Sequence, residues 1–400
     1  MGKRMADELA PQGGRINAEV PVDRSSEESL PGQKRWSQSL HHVPQQPQEL
    51  SPQFPLIAQR FEAWWAHDCL DRPILIGSAD TRPDRPITRR LELLASPEEW
   101  LAAKVADMQQ LQRVGEALPN VRVDFGPVLL GSLVGGEREV GANTSWTHAF
   151  IDEDWSNAPD WSIADDNEDW QRLLELLELT ARDAAGRYFV CMPDLGGCAD
   201  TLLNLRGSEN LCLDTVTNPT AIERALDGLY PTWHRAFTAL YDSVLPSGAG
   251  LIHWLQLWSD KPYVVPACDF NALVGPAQFD SLFLPDIARQ TDAVPRSIFH
   301  LDGPDAARHI DALLSIDSLD AVQFTPGAGT PSTLPWIDMF QRIQASGRSV
   351  LIMVHDLTEI PDLLEQLRPE GLALFIDASP SPQELDAAMA SVEAHATPSP

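Results

Sequence analysis

Eight short, β-prone apolar runs alternate with long amphipathic stretches along this 400-residue chain, and that alternation narrows its fold more than any other feature. The runs are RPILIGSA (72–79), VRVDFGP (121–127), RYFVCMPD (187–194), GLIHWLQLW (250–258), SIFHLDG (297–303), AVQFTP (321–326), SVLIMVH (349–355) and LALFIDA (372–378). Helix-like segments separate them, among them 96–118, 167–186, 218–244, 275–294, 303–316, 332–347, 357–371 and 381–395. Continuous apolar strands are buried on both faces, and alternation with helices calls for a parallel sheet that the helices cover. Eight units are the number at which such a sheet closes around packed side chains, so the expectation is an α/β protein with a (β/α)8 (TIM) barrel. An open doubly wound sheet is the other arrangement of the same elements. No GxGxxG follows a strand, so a dinucleotide crevice has no support.

Residues 1 to about 50 break the pattern. They are dominated by Gln, Pro, Ser and Gly, and Trp36 is their one aromatic residue. Such a segment buries too little apolar surface to offset the entropy of ordering, which predicts a disordered low-complexity tail. The barrel is therefore expected over residues 54–395. Ser96 with Glu99, and Ser381 with Glu384, carry the spacing of capping boxes and mark helix starts. The acidic stretch 151–170 reads as a surface excursion held down by Trp155, Trp161 and Trp170.

Charge then removes whole classes of function. The chain has 29 basic and 58 acidic residues, a net charge of -29, which repels a polyanion and excludes electrostatic nucleic-acid binding. An anionic membrane surface recruits clustered Lys/Arg and is disfavoured for the same reason. No apolar run approaches the length of a spanning helix, and the N-terminus lacks the apolar stretch of a secretory signal. Five scattered cysteines without a CxxC pair imply no disulfide framework. These features predict a cytoplasmic protein. No heptad repeat calls for a coiled-coil partner, and pairing with a second copy of the chain stays open.

In a (β/α)8 barrel the chemistry lies at the C-terminal ends of the strands. Polar residues stand there in nearly every run: Asp124, Asp194, His300 with Asp302, Gln323 with Thr325, His355, and Asp377. The loop after the fourth run adds Cys268, Asp269 and Asn271. His300 and Asp302 are the sharpest pair, because residues two apart on a strand face the same side. A His and a carboxylate so placed suit metal ligation or acid/base work, and equally a hydrogen bond that only stabilises the rim. His355 and Asp377, on neighbouring strands, are candidates to complete an N/O metal site. The Gly pair in PDLGGCADTLLNLRGSEN (193–210) allows close backbone approach, and Arg206 behind it is a candidate for a substrate carboxylate. Trp146, Trp254 and Trp258 are candidate walls for a flat or apolar ligand.

Four segments carry a family resemblance: FEAWWAHDCLDRPILIG (61–77), PDLGGCADTLLNLRGSENLCLDTVTNP (193–219), ACDFNALVGPAQFDSLFLPDI (267–287) and FHLDGPDAARHIDALLSIDSLDAVQFTPGAG (299–329). In order and spacing over roughly residues 54–395 they resemble the uroporphyrinogen decarboxylase superfamily, which includes corrinoid-linked methyltransferases. The resemblance implies a single (β/α)8 barrel. True uroporphyrinogen decarboxylases carry a Met-Arg-Gln-Ala-Gly-Arg motif for substrate carboxylates. Here DRPILIGSADTRPDRP (71–86) stands in its place, with only Arg82 and Arg85 nearby. The methyltransferase branch holds zinc through His-x-Cys and a later Cys. Here the motif reads His300-x-Asp302, and Asp377 and Ser379 stand where the later Cys is expected. Harder ligands replace softer ones, so a bound divalent cation would shift toward O/N-loving metals.

The reading is a methyltransferase-like enzyme, with a corrinoid protein as the expected methyl partner and a small molecule as substrate. A decarboxylase of a carboxylated substrate and a non-catalytic ligand-binding barrel are the alternatives. His300, Asp302, Asp269 and Asp194 are the expected catalytic groups, and His300, Asp302 and Asp377 the expected metal ligands. Asp124, Trp146, Arg206, Trp258, Asn271, Gln323 and His355 are expected to contact substrate.

Overall fold

The computed structural model describes residues 52–82, 96–140, 145–247, 250–327, 329–330 and 332–396. The expected tail, and Arg85, lie outside the described residues. Helix α1 (Phe54–Trp65) precedes strand β1 (Ile74–Asp80). Helix α2 (Pro97–Gln109) leads to β2 (Leu111–Gly115), β3 (Asn120–Arg122), helix α3 (Leu129–Leu133) and the hairpin of β4 (Arg138–Val140) and β5 (Ser145–Thr147). Helix α4 (Glu168–Ala184), β6 (Phe189–Met192), and helices α5 (Cys198–Arg206), α6 (Ser208–Thr217) and α7 (Pro219–Val244) follow. The chain continues through β7 (Leu251–His253), β8 (Trp258–Ser259), β9 (Tyr263–Val264), helix α8 (Leu284–Asp292), β10 (Arg296–Asp302), helix α9 (Ile310–Leu314) and β11 (Ala321–Thr325). It ends with helix α10 (Ile337–Ala345), β12 (Ser349–Val354), helix α11 (Ile360–Gln366), β13 (Leu372–Ile376) and helix α12 (Pro382–Ala394).

The strands form two main sheets. The larger has the order β2-β1-β13-β12-β11-β10-β9 and the smaller β3-β6-β7-β8. From β1 through β9 the larger sheet is parallel, as is β3-β6-β7 in the smaller. The runs behave as two-face-buried strands should: every described residue of β6, β7 and β12 is buried. Buried apolar residues from Phe54 to Val392 make one continuous cluster. Two helix starts follow the local code. Ser96 Oγ accepts from the Glu99 amide at the head of α2, and Ser381 and Glu384 form a reciprocal capping box at α12.

Two segments differ from expectation. The helix expected over 96–118 stops at Gln109, and 111–115 instead pairs antiparallel with β1. Backbone pairing along five residues of an open sheet edge outweighs the helical pattern, and Gly115, at φ 61°, closes the segment. The run 250–258 is not one strand. β7 spans three residues, the chain reverses with Gln256 at φ 57°, and β8 returns antiparallel to it. That reversal sends Trp258 away from the C-terminal strand ends, where it packs edge-on against Phe54 of α1 with centroids 5.6 Å apart.

Candidate functional site

The parallel register between β10 and β11 builds the centre of the site. His300 lies beside Gln323, and Asp302 beside Thr325. His300 Nδ1 donates to Gln323 Oε1, while Gln323 Nε2 donates to Thr325 Oγ1 at 2.8 Å. The buried amide is thus committed at both ends. It fixes the imidazole tautomer with the proton on Nδ1, which leaves the Nε2 lone pair for a ligand. Pro266 O accepts from the His300 amide, and a bridge from Ala267 to His300 ties the loop after β9 to β10. Asp269 enters the site on that loop.

Glycine allows a second loop to approach. A Cβ on Gly197 would stand 2.3 Å from the Ala267 carbonyl oxygen, so only glycine permits this contact, and Gly196 takes φ 76° beside it. The turn after β6 therefore packs against the 267–271 loop. Asp194 accepts from the Gly196 amide at 3.0 Å, and Asp200 at the start of α5 accepts from the Phe270 amide at 3.3 Å.

Asp269, His300 and Asp302 offer ligand atoms that all lie within 4.8 Å of one another. Asp302 Oδ1 is buried without a hydrogen-bond donor. Burial pushes the Asp302 carboxyl upward and Asp269 adds to the shift, with His300 opposing it. Burial likewise raises Asp194, against the nearby charge of Arg122. Asp200 is raised well above the usual range by burial and then by Asp269. Carboxylates crowded in this way take up protons or a cation. The buried, donorless Asp302 oxygen and the free His300 Nε2 fit a divalent ion accepting O/N ligands.

Several expected contacts lie elsewhere. Asp377 is not in the group; its carboxylate is 3.7 Å from His355 Nε2, and His355 lines a groove between the 357–361 segment and α12. The amide of Asp377 pairs with Val354 O, which directs the end of β13 along β12 and away from β10. Arg206 is 3% exposed and fully engaged. It pairs with both Asp214 oxygens, at 2.7 and 3.2 Å, and donates to the carbonyls of Ile151, Asp152 and Glu153. It anchors the acidic excursion rather than a ligand, and Trp155 stacks on its guanidinium at 5.0 Å. Trp258 is buried under α1, so it forms no pocket wall. Trp146 is exposed on the β4–β5 hairpin, where its indole N–H donates to Glu139. Asn271 is buried, with its backbone carbonyl accepting from His309. Asp124 accepts from the Gly126 amide and is 3.7 Å from Arg122. Cys268 is buried among the carboxylates, and burial with Asp200 and Asp269 drives its thiol pKa far upward, so it offers no thiolate.

Trp254, a candidate wall, stands beside this centre with two groups that the sequence reading passed over, Arg122 and His253. Trp254 packs edge-on against His300 with ring centroids 5.2 Å apart, and the Arg122 guanidinium lies 6.0 Å from the same indole. His253, buried at the end of β7, is held neutral. Burial and then the charge of Arg122 pull its pKa down to about 3. Arg122 was legible in one respect, since it sits two residues before Asp124 and so shares its face. His253 lies inside an apolar run that gives no such signal.

No known protein-family profile matches the chain, and no curated protein matches its sequence. Its fold is similar to that of a methyltransferase from Methanosarcina mazei. The TM-score is 0.56 at 11% identity, over 84% of this chain and 98% of that one. The chain is an α/β protein with parallel sheets and a methyltransferase-like fold. Among the described residues no helix is long and apolar enough to cross a membrane.

Proposed function

We propose that this chain is a metal-dependent methyltransferase of the uroporphyrinogen decarboxylase superfamily, with the two sheets forming arcs of one (β/α)8 barrel over residues 54–395. Asp269, His300 and Asp302 would hold a divalent cation. The observation that carries this reading is the convergence of these three ligand atoms within 4.8 Å, with His300 oriented by Gln323. The likeness in fold to a methyltransferase supports the reaction class. When bound, the cation would supply Lewis acidity that lowers the pKa of a nucleophile.

The protein's own residues do the remaining work. Gln323 holds the His300 ring in one tautomer. Asp194 keeps its proton to a higher pH than an exposed aspartate and can donate it to a bound acceptor. Trp254 forms an apolar wall beside His300. A corrinoid protein is the proposed methyl donor and a small molecule the acceptor. The test is methyl transfer from a methylated corrinoid to a thiol, followed by the corrinoid absorbance. Wild type loaded with Zn2+ or Co2+ should turn over and His300→Ala should not. Equal rates in the two proteins would refute the assignment.

A further inference from the structure

Arg122 ends β3, and no protein acceptor engages its buried Nε. Its side chain is otherwise 40% exposed, and Asp124 stays at 3.7 Å, outside hydrogen-bond range, while the Arg122 charge also reaches Asp194. Trp254 Nε1 is also buried without an acceptor, and so is His253 Nδ1. These three nitrogens belong to neighbouring side chains. Arg122 lies 6.0 Å from the Trp254 ring, and its charge reaches His253. Buried donors are nearly always satisfied, so the unpartnered Arg122 Nε–H and Trp254 Nε1–H beside one another mark a place where an acceptor belongs. By contrast, Arg206, Arg72 and Arg296 are each spent on carboxylates and carbonyls of the protein itself.

We infer that Arg122, Trp254 and His253 form a subsite for a carboxylate carried by the substrate, next to the Trp254 ring that also meets His300. The Arg122 guanidinium supplies charge-assisted hydrogen bonds, the Trp254 indole N–H adds a neutral donor, and His253 bounds the subsite as an uncharged imidazole. Trp254 touches both ends, with His300 at 5.2 Å and Arg122 at 6.0 Å. A short acid would therefore place its carboxylate at Arg122, lay its chain along the indole and present its other end to Asp269, His300 and Asp302. The carboxylate contact that the sequence suggested for Arg206 thus falls to Arg122. The carboxylate subsite stands on its own geometry; only the identity of the reacting end rests on the proposed metal site.

The probe pair is butanoate and butanamide, which share a shape and differ in charge. Binding is followed by saturation-transfer NMR at mildly acidic pH, in full-length protein treated with chelator and again after loading with Zn2+. Butanoate should bind and butanamide should not, in both states. Arg122→Gln should weaken butanoate roughly 10- to 100-fold, the factor expected for a lost charge-assisted hydrogen bond. Trp254→Phe keeps an aromatic face, removes one donor and should weaken binding by a smaller factor; it carries the test if Arg122→Gln does not fold. Equal binding of acid and amide, or butanoate binding unchanged in the folded variants, overturns the subsite. Absence of butanoate binding in both states of the wild type does so too. Butanoate that binds only with Zn2+ and survives Arg122→Gln would be a metal ligand, which also refutes the subsite. A separate titration with Zn2+ alone reports on the metal site, so failure of one reading is distinguishable from failure of the other.

Discussion

Gln323→Leu isolates the link on which the metal proposal depends. Leucine has nearly the same volume, and Gln323 is fully buried between β10 and β12, so the strand pairing should survive. What disappears is the acceptor for His300 Nδ1 and the donor to Thr325. The imidazole is then free to rotate or to place its proton on Nε2, the nitrogen offered to the metal. Loss of such an outer partner typically costs about 10–100-fold in metal affinity, or about 1.4–2.7 kcal/mol. The buried N–H left without a partner costs about 1–3 kcal/mol of fold stability, which thermal unfolding reads separately. Zn2+ titration calorimetry on wild type, Gln323→Leu and Gln323→Glu is the assay. The Glu variant keeps an acceptor and should retain affinity. A folded Gln323→Leu protein that binds Zn2+ as tightly as wild type would refute the claim that this amide orients a ligand.

Two further expectations concern stability. Arg206→Ala leaves Asp214 buried and unpaired and frees the carbonyls of 151–153; it should cost about 3–5 kcal/mol in chemical denaturation while leaving butanoate binding by the folded fraction intact. His253 has a native pKa of about 3 against 6.5 unfolded, so the unfolded chain binds its proton first; stability from this group is complete above pH 6.5 and is lost as pH falls towards 3. Wild type should lose roughly 2 kcal/mol from this source between about pH 6.5 and 5, and His253→Asn should lack that component of the slope in denaturation curves.

The strands and most helices were legible because each has a period that local physics dictates. The His300/Asp302 pair was legible for the same reason, since alternation on a strand needs no tertiary information. Gln323 was legible as a strand-end residue, but its bond to His300 depends on the β10–β11 register. The errors share a cause. Arg206 faces Asp214, eight residues on, and carbonyls more than fifty residues back, and nothing local distinguishes a committed guanidinium from a free one. Trp258 was misplaced because LIHWLQLW is mostly apolar, with no Gly or Pro to mark the reversal at Gln256. Asp377 stands at the end of a strand, as expected, but β13 and β10 are separated by β12 and β11, so its partner is His355. Asp269 replaces it because the glycine contact at Gly197 and the Ala267–His300 bridge fold the loop inwards.

The most direct test of the central claim is elemental analysis of protein purified without chelator, beside His300→Ala. Near-stoichiometric divalent metal is expected in the wild type, and its loss in the folded variant. Metal absent from both proteins after loading with Zn2+ or Co2+, or retained equally by the variant, would contradict it.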